Sequence, residues 1–165
     1  RRLNAINSAV NALDMATAPG FHVNGLKREE LIAANSMILH EIYFASLGSS
    51  TGRPGPALAR RLEADFGTHD RWRAEFVAMG KALGGGSGWV LLSWSPRLGR
   101  LVNQWAFDHT MTGADGCVLV ALDMYEHAYQ MDYGANAGAY VDAYMNALSW
   151  TNADHVFAPV QREHA

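Results

Sequence analysis

The 165 residues contain a single cysteine, Cys117, and therefore exclude an internal disulfide. Nothing in the cysteine usage calls for an oxidising compartment, so a cytoplasmic setting is expected. No apolar run approaches the roughly 20 residues of a membrane-spanning helix, so a membrane is not an expected partner. Basic residues are also scarce: 13 Lys and Arg against 16 Asp and Glu give a formal charge of −3. A surface built to bind phosphates needs the opposite balance, so nucleic acid is not an expected partner either. Repeats and low-complexity tracts are missing. What the chain has is hydrophobic residues at 49%, with five Trp and six Tyr, a composition that makes a packed core.

The apolar pattern changes period twice along the chain, from helix to strand and back. Leu3, Ile6, Val10 and Leu13 recur at helical spacing until Ala16–Gly20 breaks the run. A second helix is expected over Glu29–Leu47, with Leu31, Ile32, Met37, Ile38, Tyr43 and Phe44 inward, and Gly48–Pro56 reads as a loop. Helices over Ala57–Phe66 and Asp70–Leu83 follow, the latter with Asp70 as its N-cap. The glycine-rich Gly84–Gly88 then opens a strand section: Trp89–Trp94, a turn at Ser95–Gly99, Arg100–Ala106 and Val118–Leu122. Helices are expected again from Glu126 and over Ala137–Leu148. This order predicts an α+β fold: an N-terminal helical hairpin domain, residues 1–48, followed by residues 49–165 with a three-stranded antiparallel sheet packed with helices.

The chemistry concentrates at one place. Val118–Leu122 is a strand-forming run that ends on Asp123, and His127 follows four residues later. A carboxylate oxygen and a neutral imidazole nitrogen are ordinary ligands for zinc, iron and manganese. Spacing alone leaves two readings open, half a metal site or a solvated acid beside a helix-face histidine. His40, flanked by Ile38, Leu39 and Ile42, reads on its own as a histidine at the edge of the core.

A resemblance resolves this choice. Asp123-Met124-Tyr125-Glu126-His127-Ala128-Tyr129 resembles the D-V-W-E-H-A-Y signature of the iron/manganese superoxide dismutases. Leu39-His40-Glu41-Ile42-Tyr43-Phe44 is similar to the family's N-H-x-x-[FY]-W helix segment, and Gly52–Leu58 to its G-x-P-x-G-x-L turn. Phe66-Gly67-Thr68, Gly86-Ser87-Gly88-Trp89 and Tyr140–Asn146 with Ser149-Trp150 continue the likeness in order. The resemblance implies disproportionation of superoxide by an iron or manganese ion held by His40, Asp123 and His127. The sequence does not choose between the two metals, which accept the same donors.

The same resemblance implies further roles. The family uses three histidines and one aspartate. Arg1-Arg2-Leu3-Asn4 aligns with a segment just beyond the first histidine, so that ligand is expected to lie outside this sequence. His22 is expected in a loop and not as its substitute. A glutamine that bonds the solvent ligand is replaced at the helix position by Ser36, which is too short, while His109 aligns with the alternative glutamine position. His109 is therefore the expected proton-delivering residue. Trp89 and Tyr43 are expected to wall the site, a role compatible with plain core packing. Glu126 is expected to reach a partner subunit's ligand histidine in a homodimer, although Gln130 replaces a tyrosine of the usual bridge. A non-catalytic relative built on the same scaffold is the alternative; a hydrolytic zinc site lacks a motif such as H-E-x-x-H.

Overall fold

A computed structural model describes residues 1–48 and 52–162. Its elements run α1 (Arg2–Ala12), α2 (Gly20–Ala45), α3 (Pro56–Phe66), α4 (His69–Ala82), β1 (Trp89–Ser95), β2 (Arg100–Ala106), β3 (Cys117–Asp123), α5 (Glu126–Tyr133), α6 (Ala137–Ala147) and α7 (Thr151–Arg162). The α+β order expected from the sequence is observed, and the sheet is antiparallel with strand order β2-β1-β3. No helix among the described residues is long and apolar enough to cross a membrane.

The central strand explains its own sequence. β1 is Trp-Val-Leu-Leu-Ser-Trp-Ser and is buried along its whole length, since neighbouring strands take both edges and packed helices cover it. β2 is an edge strand, and it mixes buried Leu101 and Ala106 with exposed Arg100 and Trp105. Register is the feature that matters for the site. Trp89 stands opposite Asp123 on β3 and opposite Ala106 on β2, so the start of β1 meets the end of β3.

Gly88 makes that meeting possible. Its φ is +142°, and a Cβ there would lie 2.4 Å from the Ala106 carbonyl oxygen. Its own carbonyl accepts from the Met124 N–H at 2.9 Å, which ties the entry of β1 to the residue after Asp123.

The structure corrects several local expectations. α2 starts at Gly20, nine residues before the expected Glu29, so His22 sits in its first turn instead of a loop. The inward face of α2 is Leu39 and Tyr43, both buried; Leu31, Met37, Ile38 and Phe44 are exposed and Ile32 half-buried. Apolar residues surround this helix, so hydrophobicity alone does not define which stripe packs. The cap of α4 is Thr68, whose hydroxyl accepts from the Arg71 N–H at 3.0 Å, and Asp70 lies in the first turn instead. In α1 the expected stripe holds, with Leu3, Ile6, Val10 and Leu13 half-buried against α2. Within the expected loop Gly48–Pro56, residues 49–51 lie outside the described residues.

α7 was not expected. Its Ala153, Val156, Phe157 and Val160 follow i, i+3, i+4, i+7 spacing, and Ala153 and Phe157 are buried. Asp154 accepts from the Gly55 N–H at 2.8 Å, joining α7 to the start of α3.

Candidate metal centre

Three elements deliver the donor atoms, two of them consecutive and one distant in sequence. α2 supplies His40, the end of β3 supplies Asp123, and the first turn of α5 supplies His127. The strand stops at Asp123 because its Oδ1 accepts from the Tyr125 N–H at 2.9 Å, turning the chain toward α5. That leaves Oδ2 for the interior. It lies 3.3 Å from His40 Nε2 and 3.1 Å from His127 Nε2, and the two imidazole nitrogens are 3.4 Å apart.

His40 has its tautomer set. Its Nδ1 lies 2.6 Å from the Ser36 carbonyl oxygen one turn back on α2, an acceptor that only an N–H can satisfy. Neutral His40 therefore keeps a bare Nε2 lone pair aimed at Asp123 and His127. The Asp123 Oδ2 and the Nε2 atoms of His40 and His127 thus converge at 3.1–3.4 Å, and with His127 in the Nδ1–H tautomer all three present lone pairs to a cation placed among them. An ion about 2.1 Å from each would see angles of roughly 95–110°, within the normal range for nitrogen and oxygen ligands. The donor set, one hard anion and two imidazoles, fits iron or manganese. His40, Asp123 and His127 are the residues present that would hold it.

Burial sharpens the electrostatics. Asp123 is 1% exposed, and desolvation pushes its carboxyl above the ordinary range, opposed by the Tyr125 N–H and by the two histidines. A buried carboxylate without a positive partner is costly, so a bound cation and this carboxylate stabilise each other.

His109 lies against this cluster, its ring centroid 6.1 Å from that of His40. The Trp89 indole N–H donates to His109 Nδ1 at 3.0 Å, so neutral His109 carries its proton on Nε2. Burial lowers its basicity, and the positive form of His40 lowers it further. Trp89 is fully buried and also meets His40 edge-on at 5.0 Å. It thus touches two of the histidines at once.

Tyr43, expected beside the site, is linked to it through Tyr140. Its hydroxyl lies 3.2 Å from that of Tyr140, and Tyr140 donates to the Asp123 carbonyl oxygen at 2.8 Å. Tyr43 therefore backs the Asp123 main chain through Tyr140. Glu126 is exposed in the first turn of α5, and the His127 side chain is 59% exposed beside it. His22 lies edge-on to Phe21 and stands 18 residues before His40 on the same helix, about 27 Å along its axis. It is not part of the cluster.

Two residues that matter were missed by the sequence reading. Tyr125 stacks on His109 at 4.9 Å and on His127 at 5.5 Å, filling the space between them. It had registered only as a Trp-to-Tyr change. Tyr140 carries the hydrogen bond to Asp123; the sequence showed it only as the first residue of the Tyr140–Asn146 likeness, with no role attached. A cavity of about 300 Å³ between α1 and α2 reaches Ser36 and His109, with Arg1 and Arg2 among its lining residues.

Comparison with known proteins identifies the family. Residues 54–156 match the family described as iron/manganese superoxide dismutases, C-terminal domain. The chain is 63% identical over 163 residues to "Superoxide dismutase [Fe]" of Cupriavidus metallidurans, covering 99% of this chain and 82% of that protein. It is 38% identical over 115 residues to "Superoxide dismutase [Mn] 1" of Halobacterium salinarum, covering 68% of this chain and 56% of that protein. It is 30% identical over 160 residues to "Superoxide dismutase [Mn]" of Mycolicibacterium smegmatis, covering 94% and 77%.

Proposed function

The chain belongs to the iron/manganese superoxide dismutases, and we propose that its chemistry runs on an iron ion held by His40, Asp123 and His127 with His109 beside it. The reaction is disproportionation: two superoxide anions and two protons give dioxygen and hydrogen peroxide. The observation that carries the site assignment is the convergence of the His40, Asp123 and His127 side-chain atoms, with His40 Nδ1 already engaged by Ser36 so that its Nε2 lone pair faces the other two. Iron over manganese is supported by the relative at 63% identity, which is named for iron.

Held by His40, Asp123 and His127, an iron ion would supply the one-electron redox couple that the disproportionation needs. The chain's own residues do the rest. Asp123 contributes the negative charge that favours the more oxidised ion. Trp89 holds His109 through Nδ1, which leaves the Nε2 proton free for solvent or substrate on the cluster's side. His109 then serves as hydrogen-bond donor and as a relay for protons taken up by the product. Tyr125, stacked on both His109 and His127, fixes their spacing.

We divide the chain near Gly48. The helical hairpin brings His40, and the remainder brings Asp123, His127 and His109. We further assign a homodimer built around the Glu126–His127 turn. Its support is the exposure of Glu126 and His127, together with exposed Phe44 and Met131 on the helices that carry His40 and His127. A carboxylate reaching the free nitrogen of a ligand histidine would set its tautomer and raise its basicity. Sedimentation of wild type and Glu126→Ala checks this: wild type runs as a dimer at micromolar concentration, and Glu126→Ala shifts toward monomer with less metal retained. A monomeric wild type would sink the assignment.

For His109, replacement by Ala leaves fold and metal content close to wild type and lowers turnover by roughly ten- to a hundredfold, as deletion of such a partner typically does. Metal analysis and superoxide turnover, measured on the same samples, provide the check. Equal turnover at equal metal would reduce His109 to a packing residue. Wild type with its site filled but without turnover would favour a non-catalytic relative. Wild type active with manganese and inactive with iron would reverse the choice of metal.

A further inference from the structure

The loop between β2 and β3 that carries His109 has little regular structure, yet it is held at several separate points. Gln104, at the end of β2, spans it with one side-chain amide. Its Nε2 donates to the Met111 carbonyl at 2.6 Å and its Oε1 accepts from the Gly113 N–H at 2.9 Å. Asp108 closes a local turn by accepting from the Thr110 N–H and hydroxyl at 2.7 and 2.6 Å. The remaining grips come from α2. Asn35 Nδ2 donates to the His109 carbonyl oxygen at 2.6 Å, and the Arg28 guanidinium lies 3.7 Å from the Asp108 carboxylate.

Positions 28 and 35 are seven residues apart, so they lie on one stripe of α2, about 20° from eclipsed. That stripe faces the loop at two consecutive residues, 108 and 109. The Arg28 pair is exposed and long, so it contributes little by itself. The Asn35 bond is short, half-buried and directed at the main chain of the residue in question. It fixes the histidine's own backbone to the helix that carries His40.

We propose that Asn35 is a positioning residue for His109, a role that rests on the reading of His109 given above. Nothing in the ligand set requires an asparagine there. The need arises because position 36, where a long amide would reach the solvent from the helix itself, is Ser36. The helix therefore does not supply the solvent-facing group. It supplies, one residue earlier, the clamp that registers a loop residue against His40. Trp89 sets the rotation of the imidazole from one side, and Asn35 sets its height along α2 from the other. With both in place, His109 and His40 keep a fixed separation although 68 residues of chain lie between them.

The experiment is a double-mutant cycle on the metal-loaded enzyme. Asn35→Ala, His109→Ala and the double variant are compared with wild type for metal content, turnover and the reduction potential of the bound iron. Asn35→Asp is run in parallel, because it keeps the shape while placing a carboxylate oxygen against the His109 carbonyl. Both Asn35 variants are expected to retain metal, to lose roughly tenfold in turnover, in the range of an outer-shell partner, and to shift the potential in the direction that His109→Ala shifts it. In the His109→Ala background, Asn35→Ala should have no further effect. Additive losses, an unchanged potential, or unchanged turnover in both Asn35 variants would overturn the proposal and leave His109 standing. Metal loss in both would do the same, by making Asn35 part of the scaffold. If His109→Ala alone changes nothing, the reading of His109 falls, and this proposal falls with it.

Discussion

Asp123→Ala should purify with less than about a tenth of the wild-type metal and with turnover lost in proportion, since it removes the single anionic donor of the set. The two imidazoles left behind offer neutral nitrogen only. They gain nothing from burial, whereas the carboxylate in this 1%-exposed position is driven toward a cation by its own desolvation. The variant also deprives the Tyr125 N–H of its acceptor, Asp123 Oδ1 at 2.9 Å. That second effect costs about 1–3 kcal/mol if the N–H stays buried, and it would confuse the interpretation. Asp123→Asn separates the two. It can keep a side-chain oxygen toward Tyr125 while removing the charge, so it should fold like wild type and still bind metal poorly. Metal quantified after identical purification, alongside a thermal melt, checks both. Full metal content in either variant would mean that the ion is held elsewhere.

Gly88→Ala should be the most damaging single methyl group in the molecule, destabilising by about 3–5 kcal/mol. Two causes add. An L-residue at φ +142° is strained, which costs on the order of 1–3 kcal/mol. The new Cβ would also sit 2.4 Å from the Ala106 carbonyl oxygen, and this obstacle is main chain in a sheet, not a mobile side-chain end. Relief requires β1 to move off β2, and β1 carries Trp89, which pairs with Asp123. Metal retention should therefore fall together with stability. Gly134→Ala is the control for backbone strain: φ is +56° with ψ −130° and nothing lies within 4 Å of its added Cβ, so it should cost about 1–3 kcal/mol from strain alone. Urea unfolding of the two variants makes the comparison. Equal, small effects would show that β1 and β2 tolerate separation at this point.

The sequence showed some parts of this molecule and hid others for identifiable reasons. The period-2 and all-apolar runs of β1, β2 and β3 were legible to within a residue, because a buried strand between turn residues has few other interpretations. The start of α2 was not: Pro19-Gly20 looks like a break, yet Pro19 is tolerated as the cap that precedes the first helical residue. α7 was passed over although its stripe Ala153, Val156, Phe157, Val160 is regular, since Pro159 sits inside it. The packed face of α2 was misjudged because apolar residues occur all around it, and burial there is decided by what the helix lies against.

The identity of the metal-ligand candidates follows the same division. Local sequence supplied a strand-end acid, a histidine four residues on, and a histidine on a helix in a recognisable motif. It also supplied the alignment that singled out His109 over Ser36. Only the tertiary structure decided that His40 comes within 3.3–3.4 Å of the local Asp123–His127 pair, because α2 meets the end of β3 through long-range packing that no local pattern encodes. The partners that set each ring belong to the same class. Trp89 on His109, Tyr140 on the Asp123 carbonyl and Asn35 on the His109 carbonyl are separated from their targets by 20, 17 and 74 residues. A side-chain hydrogen bond of that reach leaves no periodicity in the chain. It exists because the fold brings a donor to an acceptor, and sequence alone determines the donor's chemistry but not where it points.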